Sequence, residues 1–100
     1  MKILLDIDDT AMLTNDKGKT WYEHPLLKKL LRKHNVYLYS GNPDIEKYAK
    51  KWDTKGYYPK GNNFFPIADV LIDNDAELWL EFVNVKKSYT SINSFFKFNK

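Results

Sequence analysis

Three short apolar runs, each followed at once by polar residues, constrain the fold of this chain more than any other feature of its sequence. The runs are residues 2–5, 36–39 and 70–72. Short runs rich in Leu, Ile, Val and Tyr are typical of strands that are buried on both faces. Helical patterns separate these runs, and strands that alternate with helices form a parallel sheet with helices on its faces. We therefore predict a mainly parallel, three-layer α/β fold of the Rossmann-like kind.

Two segments between the runs carry helical patterns. Residues 26–31 include four leucines on one face, and residues 45–52 carry apolar residues at helical spacing. Asn35 is expected to end the first helix in a left-handed conformation. Asn42 is expected to cap the second helix, with Pro43 as its first residue.

The rest of the chain gives weaker signals. We expect a short strand at residues 57–58, a short helix over residues 76–80 and a strand over residues 82–85. Residues 88–100 have no clear pattern, but their aromatic side chains indicate packing rather than a free tail.

Length and composition bound the function. A chain of 100 residues is about one domain, which we take to span residues 1–100. The absence of cysteine excludes disulfide scaffolds, thiolate zinc sites and thiol nucleophiles. No apolar run approaches the roughly 18 residues of a membrane span, so we expect a cytoplasmic protein without a membrane partner. A net charge of +3 is too small to indicate nucleic-acid binding by itself.

Polar residues follow each apolar run and should converge, because the carboxyl ends of parallel strands share one edge, where ligands bind. These residues are Asp6, Asp8 and Thr10; Ser40, Gly41 and Asn42; and Asp73, Asn74 and Asp75. Crowded carboxylates repel one another strongly in partly buried surroundings, so a cation should lie among them. Oxygen ligands without nearby His or Cys favour Mg²⁺. We expect Asp6, Asp73 and the backbone carbonyl of Asp8 to bind it.

A phosphate bound beside that metal would give the neighbouring residues chemical roles. Asp6 could attack phosphorus and form an aspartyl phosphate. Asp8 could protonate the leaving alkoxide and later deprotonate water. Ser40 and the backbone N–H groups that follow it, at a helix N-terminus, could hold the phosphate, and a lysine would complete the charge compensation.

These residues match the pattern of a known family. Asp6-Ile7-Asp8-Asp9-Thr10 after an apolar strand resembles the first motif of the haloacid dehalogenase (HAD) superfamily of phosphohydrolases. Residues 36–40 resemble its second motif, an apolar strand that ends in Ser or Thr. Residues 68–74 resemble its fourth motif, an apolar strand that ends in an acidic pair. The order and spacing of the motifs cover residues 1 to about 80.

The resemblance implies a magnesium-dependent phosphatase that works through a phosphoaspartate, with Asp6 as nucleophile and Asp8 as general acid and base. It implies positioning and phosphate-binding roles for Thr10 and Ser40, and a metal-binding role for Asp73. The third motif of the family is a lysine ahead of the fourth-motif strand, for which Lys60 is our choice and Lys55 the alternative.

Asn74 departs from the family pattern, because many relatives carry a second acid at that place. Either Asp75 or the Asn74 carbonyl oxygen, the latter through water, would then have to contribute to metal binding.

The spacing of the motifs leaves no room for the cap domain that the family usually inserts. Only 29 residues separate Thr10 from Ser40, and 19 separate Ser40 from Lys60. The chain therefore resembles capless members of the family, whose open site suits a nucleotide, a sugar phosphate or a phosphorylated macromolecule.

Aromatic residues in the loops near this edge would either stack on a base or sugar or cover the small core. They are Trp21, Tyr22, Tyr57, Tyr58, Phe64 and Phe65. Together with Lys17, Lys19, Lys55 and Lys60, they make a nucleic-acid partner conceivable. The sequence does not indicate an oligomeric state.

Two other functions compete with the phosphatase. A receiver-like phosphoacceptor domain also uses a parallel sheet, magnesium and an aspartyl phosphate, but its phosphorylated Asp ends the third strand, after an acidic pair on the first. A weakly catalytic module that binds phosphate or nucleic acid would keep the pocket without turnover, yet such a module has no need of both Asp6 and Asp8.

Overall fold

The predicted alternation of strands and helices is present in the computed structural model, which describes residues 1–99. In chain order the elements are β1 (Lys2–Leu5), β2 (Met12–Leu13), β3 (Tyr22–Glu23), α1 (Leu27–Lys33), β4 (Asn35–Ser40), α2 (Ile45–Trp52), β5 (Gly56–Pro59), β6 (Val70–Ile72), α3 (Ala76–Trp79), a 3-10 helix (Leu80–Phe82), β7 (Lys87–Tyr89) and α4 (Ile92–Phe98).

Five of the strands form one parallel sheet in the order β5-β4-β1-β6-β7. The central strand, β1, pairs with β4 on one side and with β6 on the other, so that Ile3 lies between Val36 and Val70. All four neighbouring pairs in this sheet are parallel, which confirms the predicted α/β class. The remaining strands, β2 and β3, form a small antiparallel hairpin between β1 and α1.

Alternate residues of β1 supply the cores on the two faces of the sheet, as the period of a strand requires. Ile3 and Leu5 pack with residues of α1, α2 and α4 on one face, whereas Leu4 packs with residues around α3 on the other. Helices therefore lie on both faces, as predicted, but one face carries three of them. Among the described residues, the other face is covered by α3, the 3-10 helix, the segment that follows and the loop before β6, with Trp79 and Ala68 among the packed side chains.

The strand order places a topological switch point beside β1. The chain goes from β1 to β4 and β5 on one side of the sheet, then crosses back to β6 and β7 on the other. Ligands of open α/β sheets bind outside the carboxyl ends of the strands at such a point. Here the two strands that flank the switch point, β1 and β6, run directly into Asp6 and Asp73.

Local predictions at three places were wrong. Asn35 is the first residue of β4, because its N–H joins the sheet by donating to the carbonyl of Met1, and α1 ends instead at an extended His34. Residues 82–85 are not a strand: the chain continues α3 into the 3-10 helix, and the next strand is β7.

The start of α2 is the third difference. The helix begins at Ile45 rather than Pro43, because the side chain of Asn42 accepts a hydrogen bond from the N–H of Asp44 and forms an Asx turn ahead of the helix. This turn directs the amide nitrogen of Asn42 towards Asp8.

The end of the chain packs on the sheet, as its aromatic content indicated. Ile92 and Phe95 of α4 are fully buried against the core that contains α1. Lys100, the last residue of the segment predicted to pack, lies outside the described residues. No helix within residues 1–99 has both the length and the apolar character needed to cross a membrane.

Candidate active site

Two buried aspartates lie side by side at the carboxyl edge of the sheet. Asp6 follows β1 and donates its N–H to the carbonyl of Ile72, the last residue of β6. Asp73 follows that residue directly. The two residues are only 6% and 0% exposed, respectively, so both carboxylates are largely removed from water. Buried charge of one sign requires a compensating charge nearby.

Lys60 supplies part of that compensation. Its Nζ lies 2.7 Å from Asp73 Oδ2 and 3.4 Å from Asp6 Oδ1. The lysine is held in place because its backbone N–H donates to the carbonyl of Ser40 at the end of β4. Lys55 precedes β5 and is exposed, at the opposite end of that strand from Lys60. Of the two candidate lysines, the structure brings Lys60 to the aspartates.

Two aromatic rings surround the ammonium group of Lys60. Its Nζ lies 4.3 Å from the ring centre of Trp79 and 5.3 Å from that of Tyr39. These rings attract the cation and shield it from water. The sequence prediction did not include Tyr39 or Trp79 in the site. Trp79 lies on α3, 19 residues after Lys60, and nothing in the spacing of the motifs relates the two residues.

One lysine does not neutralise two buried carboxylates. Burial and the neighbouring charge of Asp73 raise the pKa of Asp6 from 3.8 to about 7, even though Lys60 and the N–H of Ile7 act in the opposite direction. Burial and Asp73 also raise the pKa of Tyr39. The site therefore retains excess negative potential, and a further cation would relieve it.

Thr10 and Asn74 complete the floor of the site. The hydroxyl of Thr10 lies 3.3 Å from Asp6 Oδ2 and accepts the N–H of Asn74 at 3.0 Å. One of the two terminal atoms of the Asn74 side-chain amide points into the site. It lies 3.0 Å from Asp6 Oδ2 and 3.3 Å from the carbonyl oxygen of Asp8. The amide nitrogen fits this position, because it can donate hydrogen bonds to both oxygens. The amide oxygen would face two other acceptors and form no hydrogen bond with them.

The donor set fits Mg²⁺. Asp6 Oδ2 and the Asp8 carbonyl oxygen are hard ligands that face one position of the Asn74 amide, and the excess negative charge favours a cation beside them. With a cation bound, the Asn74 amide would turn its oxygen, rather than its nitrogen, towards that position. Asp73 already uses its oxygens to accept from Lys60 and from the N–H of Asp75. Residues 1–99 contain no group of three or more His, Cys, Asp or Glu side chains that could hold a metal ion. A magnesium site here would thus rest on few carboxylates and on water, as Mg²⁺ sites commonly do.

Hydrogen bonds link Asp8 to the residues at the end of β4. The carboxylate of Asp8 accepts hydrogen bonds from the side-chain nitrogen of Asn42 at 3.1 and 3.3 Å. The N–H of Asn42 in turn donates to the hydroxyl oxygen of Ser40, which leaves the Ser40 O–H free to donate. Asn42 therefore fixes the loop after β4 to the loop after β1.

An open cavity of about 430 Å³ collects most of the predicted residues. Those that line it are Asp6, Asp8, Ser40, Gly41, Asn42, Lys60 and Asn74. Thr10 and Asp73 are not in the lining; they are 1% and 0% exposed and support it from beneath. Asp9, Asp75, Gly61 and Trp79 also line this cavity, which we call the acidic cavity. It has the size of an ordinary small-ligand site.

A strained turn brings Asp6 and Thr10 together. Asp9 has a φ of 61°, a left-handed conformation, and the N–H groups of Thr10 and Met12 both donate to the carbonyl of Ile7. Asp tolerates this conformation better than most residues do, and β-branched side chains tolerate it poorly.

Replacing Asp9 by valine should therefore lower the free energy of unfolding by about 1–2 kcal/mol. Urea denaturation measures this change. Asp9→Asn is the matched control, because asparagine is also accepted in the left-handed region, and it should stay close to the wild type. Equal stability of the valine variant would show that the turn does not hold this conformation in solution.

A scan against protein-family models and searches of curated proteins and of solved structures found no match to this chain. What the protein does must therefore be inferred from the geometry and charge of its own residues.

Proposed function

We propose that this protein is a magnesium-dependent phosphomonoester hydrolase of the capless HAD-like kind, which works through an aspartyl phosphate on Asp6. One observation carries the proposal: Asp6 and Asp8 line the same cavity as Ser40 and Lys60. A nucleophile, a proton donor and groups that bind phosphate oxygens therefore share one space of ligand size.

In the first step a carboxylate oxygen of Asp6 attacks phosphorus, and the bond between phosphorus and the ester oxygen breaks. The leaving alkoxide takes a proton from the Asp8 carboxyl group, so the alcohol leaves neutral. In the second step Asp8 removes a proton from water, which attacks the phosphoaspartate, and inorganic phosphate leaves with Asp6 restored.

The surrounding groups stabilise the charge on the transferred phosphoryl group. Lys60 and the free O–H of Ser40 can donate to its oxygens, and Asn42 keeps Asp8 turned towards the cavity. Mg²⁺, when bound by Asp6, the Asp8 carbonyl and Asn74, with Asp73 in support, would neutralise the carboxylates and orient the phosphate. It would also keep Asp6 ionised at neutral pH, which a nucleophile requires.

The competing functions have less support. The third parallel strand in chain order, β5, is followed by Lys60 and not by an aspartate, which disfavours a receiver-like phosphoacceptor. A module that only binds phosphate gains nothing from Asp8, because each further carboxylate at the cavity repels the anion.

The test of the acid and base role is the Asp8→Asn variant. With an aryl phosphate and Mg²⁺ we expect the steady-state rate to fall by about 10²–10⁴-fold, because asparagine neither donates a proton to the leaving group nor accepts one from water. Phosphoenzyme should accumulate, because an aryloxide leaves without much help whereas hydrolysis of the phosphoaspartate still needs the base. Rapid acid quenching and mass analysis of Asp6 detect it.

Asp53→Asn is the matched control for Asp8→Asn. Asp53 is an exposed aspartate that ends α2 in a left-handed conformation, which asparagine also accepts. This variant should hydrolyse at the wild-type rate. An unchanged rate in Asp8→Asn would remove Asp8 from the mechanism. If the wild type shows no magnesium-dependent hydrolysis of any phosphate ester tried, the proposed phosphatase activity is refuted.

A further inference from the structure

A second cavity of about 380 Å³ adjoins the acidic cavity. Gly61 and Trp79 line both of them, so the two spaces are neighbours and Trp79 stands at their common border. We call the second space the aromatic cavity. Lys60 Nζ lies 4.3 Å from the Trp79 ring centre, so a phosphate bound by this lysine would lie close to the border of the aromatic cavity.

Aromatic rings form most of the wall of the aromatic cavity. Besides Tyr39 and Trp79, these are Phe64, Phe65 and Phe82. The three phenylalanines are 52%, 66% and 42% exposed, so large apolar surfaces remain in water at its mouth. An exposed apolar surface of this kind that borders a polar site marks a place where a ligand binds.

Several of these rings are already held in position. Phe64 packs edge-on against Tyr58 with ring centres 6.1 Å apart, and Phe82 packs against Trp79 at 5.5 Å. Rings fixed in advance lose little conformational freedom when a flat ligand inserts between them. Of the aromatic residues singled out in the sequence, only Phe64 and Phe65 line this cavity. The rings of Trp21 and Tyr22 instead hydrogen-bond within the loop before β3.

The polar groups in the lining are amides and not charges. Asn62 and Asn63 lie between Gly61 and the phenylalanines, and the described residues that line the aromatic cavity include no lysine, arginine or acid. Amides can both donate to and accept from the edge of a nucleobase, while aromatic rings stack on its face. A polynucleotide would instead require basic groups along its backbone.

From this pair of cavities we infer that the substrate is a nucleoside monophosphate, with its phosphate in the acidic cavity and its base in the aromatic cavity. This inference rests on the proposed phosphatase function and narrows its substrate class. A sugar phosphate without a base would leave the aromatic cavity unfilled, and a protein phosphate would place no base there.

The test compares adenosine 5′-monophosphate and adenosine 3′-monophosphate with ribose 5-phosphate, which lacks the base. We expect kcat/KM to be at least about tenfold higher for one of the nucleotides, since stacking of a base on aromatic side chains commonly gives effects of this size. Phe65→Ala and Phe82→Ala should each lower that preference several-fold. Turnover of ribose 5-phosphate should stay within about twofold, because these side chains do not touch the phosphate.

Phe98→Ala is the matched control, because Phe98 is an equally exposed phenylalanine on α4, which packs on the opposite face of the sheet. It should keep the wild-type preference. The inference is wrong if the wild-type enzyme hydrolyses ribose 5-phosphate or phosphotyrosine with a kcat/KM equal to that for both nucleotides. The proposed phosphatase function would still stand in that case. An unchanged preference in both Phe65→Ala and Phe82→Ala also overturns the inference.

Binding separates failure of the inference from failure of the proposed function. The Asp6→Asn variant cannot turn over substrate by the proposed route, so calorimetry can compare its affinity for adenosine monophosphates and for ribose 5-phosphate. Tighter nucleotide binding that Phe65→Ala weakens supports the aromatic cavity as a base site even if no hydrolysis is found. Sedimentation can show whether the chain forms a dimer that Phe65→Ala and Phe82→Ala disrupt. If it does, and if nucleotides do not compete with dimer formation, the inference is wrong.

Discussion

Replacing Asp6 by asparagine should lower phosphate monoester hydrolysis by roughly 10³-fold or more while leaving the protein folded. Asparagine has nearly the same shape, but its amide does not attack phosphorus. The free energy of unfolding should not fall with the activity, because the substitution removes one of two buried carboxylates that repel each other. If Asp6 were needed only for packing, the substitution would lower the stability and the activity of the protein together.

The pH dependence of stability should change in the same variant when a chelator is present. The pKa of Asp6 is about 7 in the folded protein and near 3.8 in an unfolded chain. The folded protein therefore holds a proton that the unfolded chain has already lost, so stability decreases as pH rises from about 4 through 7. Urea denaturation at several pH values should show this decrease in the wild type and a smaller one in Asp6→Asn.

Asp69→Asn is the matched control for both measurements. Asp69 lies just before β6, at the opposite end of that strand from Asp73, and its carboxylate accepts the N–H of Lys2. Asparagine can accept the same hydrogen bond, and this position lies away from the acidic cavity. The activity and the pH dependence of stability should therefore both stay as in the wild type. Substantial magnesium-dependent hydrolysis by Asp6→Asn would exclude the phosphoaspartate route.

The buried strands and their polar ends could be predicted from the sequence because strong local signals coincide there. The run at residues 2–5 is apolar, and β1 occupies the same residues. The adjacency of Asp6 and Asp73, which are 67 residues apart, then followed from the rule that parallel strands end at a common edge. The sequence also favoured Lys60 over Lys55, but deciding between the two lysines needed the knowledge that β5 joins this sheet and ends just before Lys60.

The aromatic surroundings of Lys60 could not be predicted because they depend on the packing of one thinly covered face. Residues 82–85 have the composition of a strand, yet the chain continues α3 into a 3-10 helix, and its Trp79 and Phe82 rings pack together. Tertiary contact decided this segment against its local propensity. The hydrogen bond from Asn42 to Asp8 was missed for a related reason, since a helix-capping position did not indicate a contact with another loop.

Replacing Lys60 by methionine should destabilise the protein by about 3–5 kcal/mol in the presence of a chelator, the usual range when one partner of a buried ion pair is removed. Methionine keeps an unbranched apolar chain that can pack beside Tyr39 and Trp79, so the loss reports the charge rather than the volume. Asp6 and Asp73 would then face each other without a cation. Hydrolysis should also become very slow.

Lys55→Met is the matched control, because this lysine is exposed at the other end of β5, and its stability should stay within about 0.5 kcal/mol of the wild type. Two further measurements test the electrostatic cause. Mg²⁺ should restore part of the stability of Lys60→Met, because the metal replaces the missing positive charge beside the carboxylates. Adding Asp6→Asn should likewise restore part of it, since only one buried carboxylate remains. A loss that neither change reduces would mean that Lys60 holds the site by packing and not by its charge.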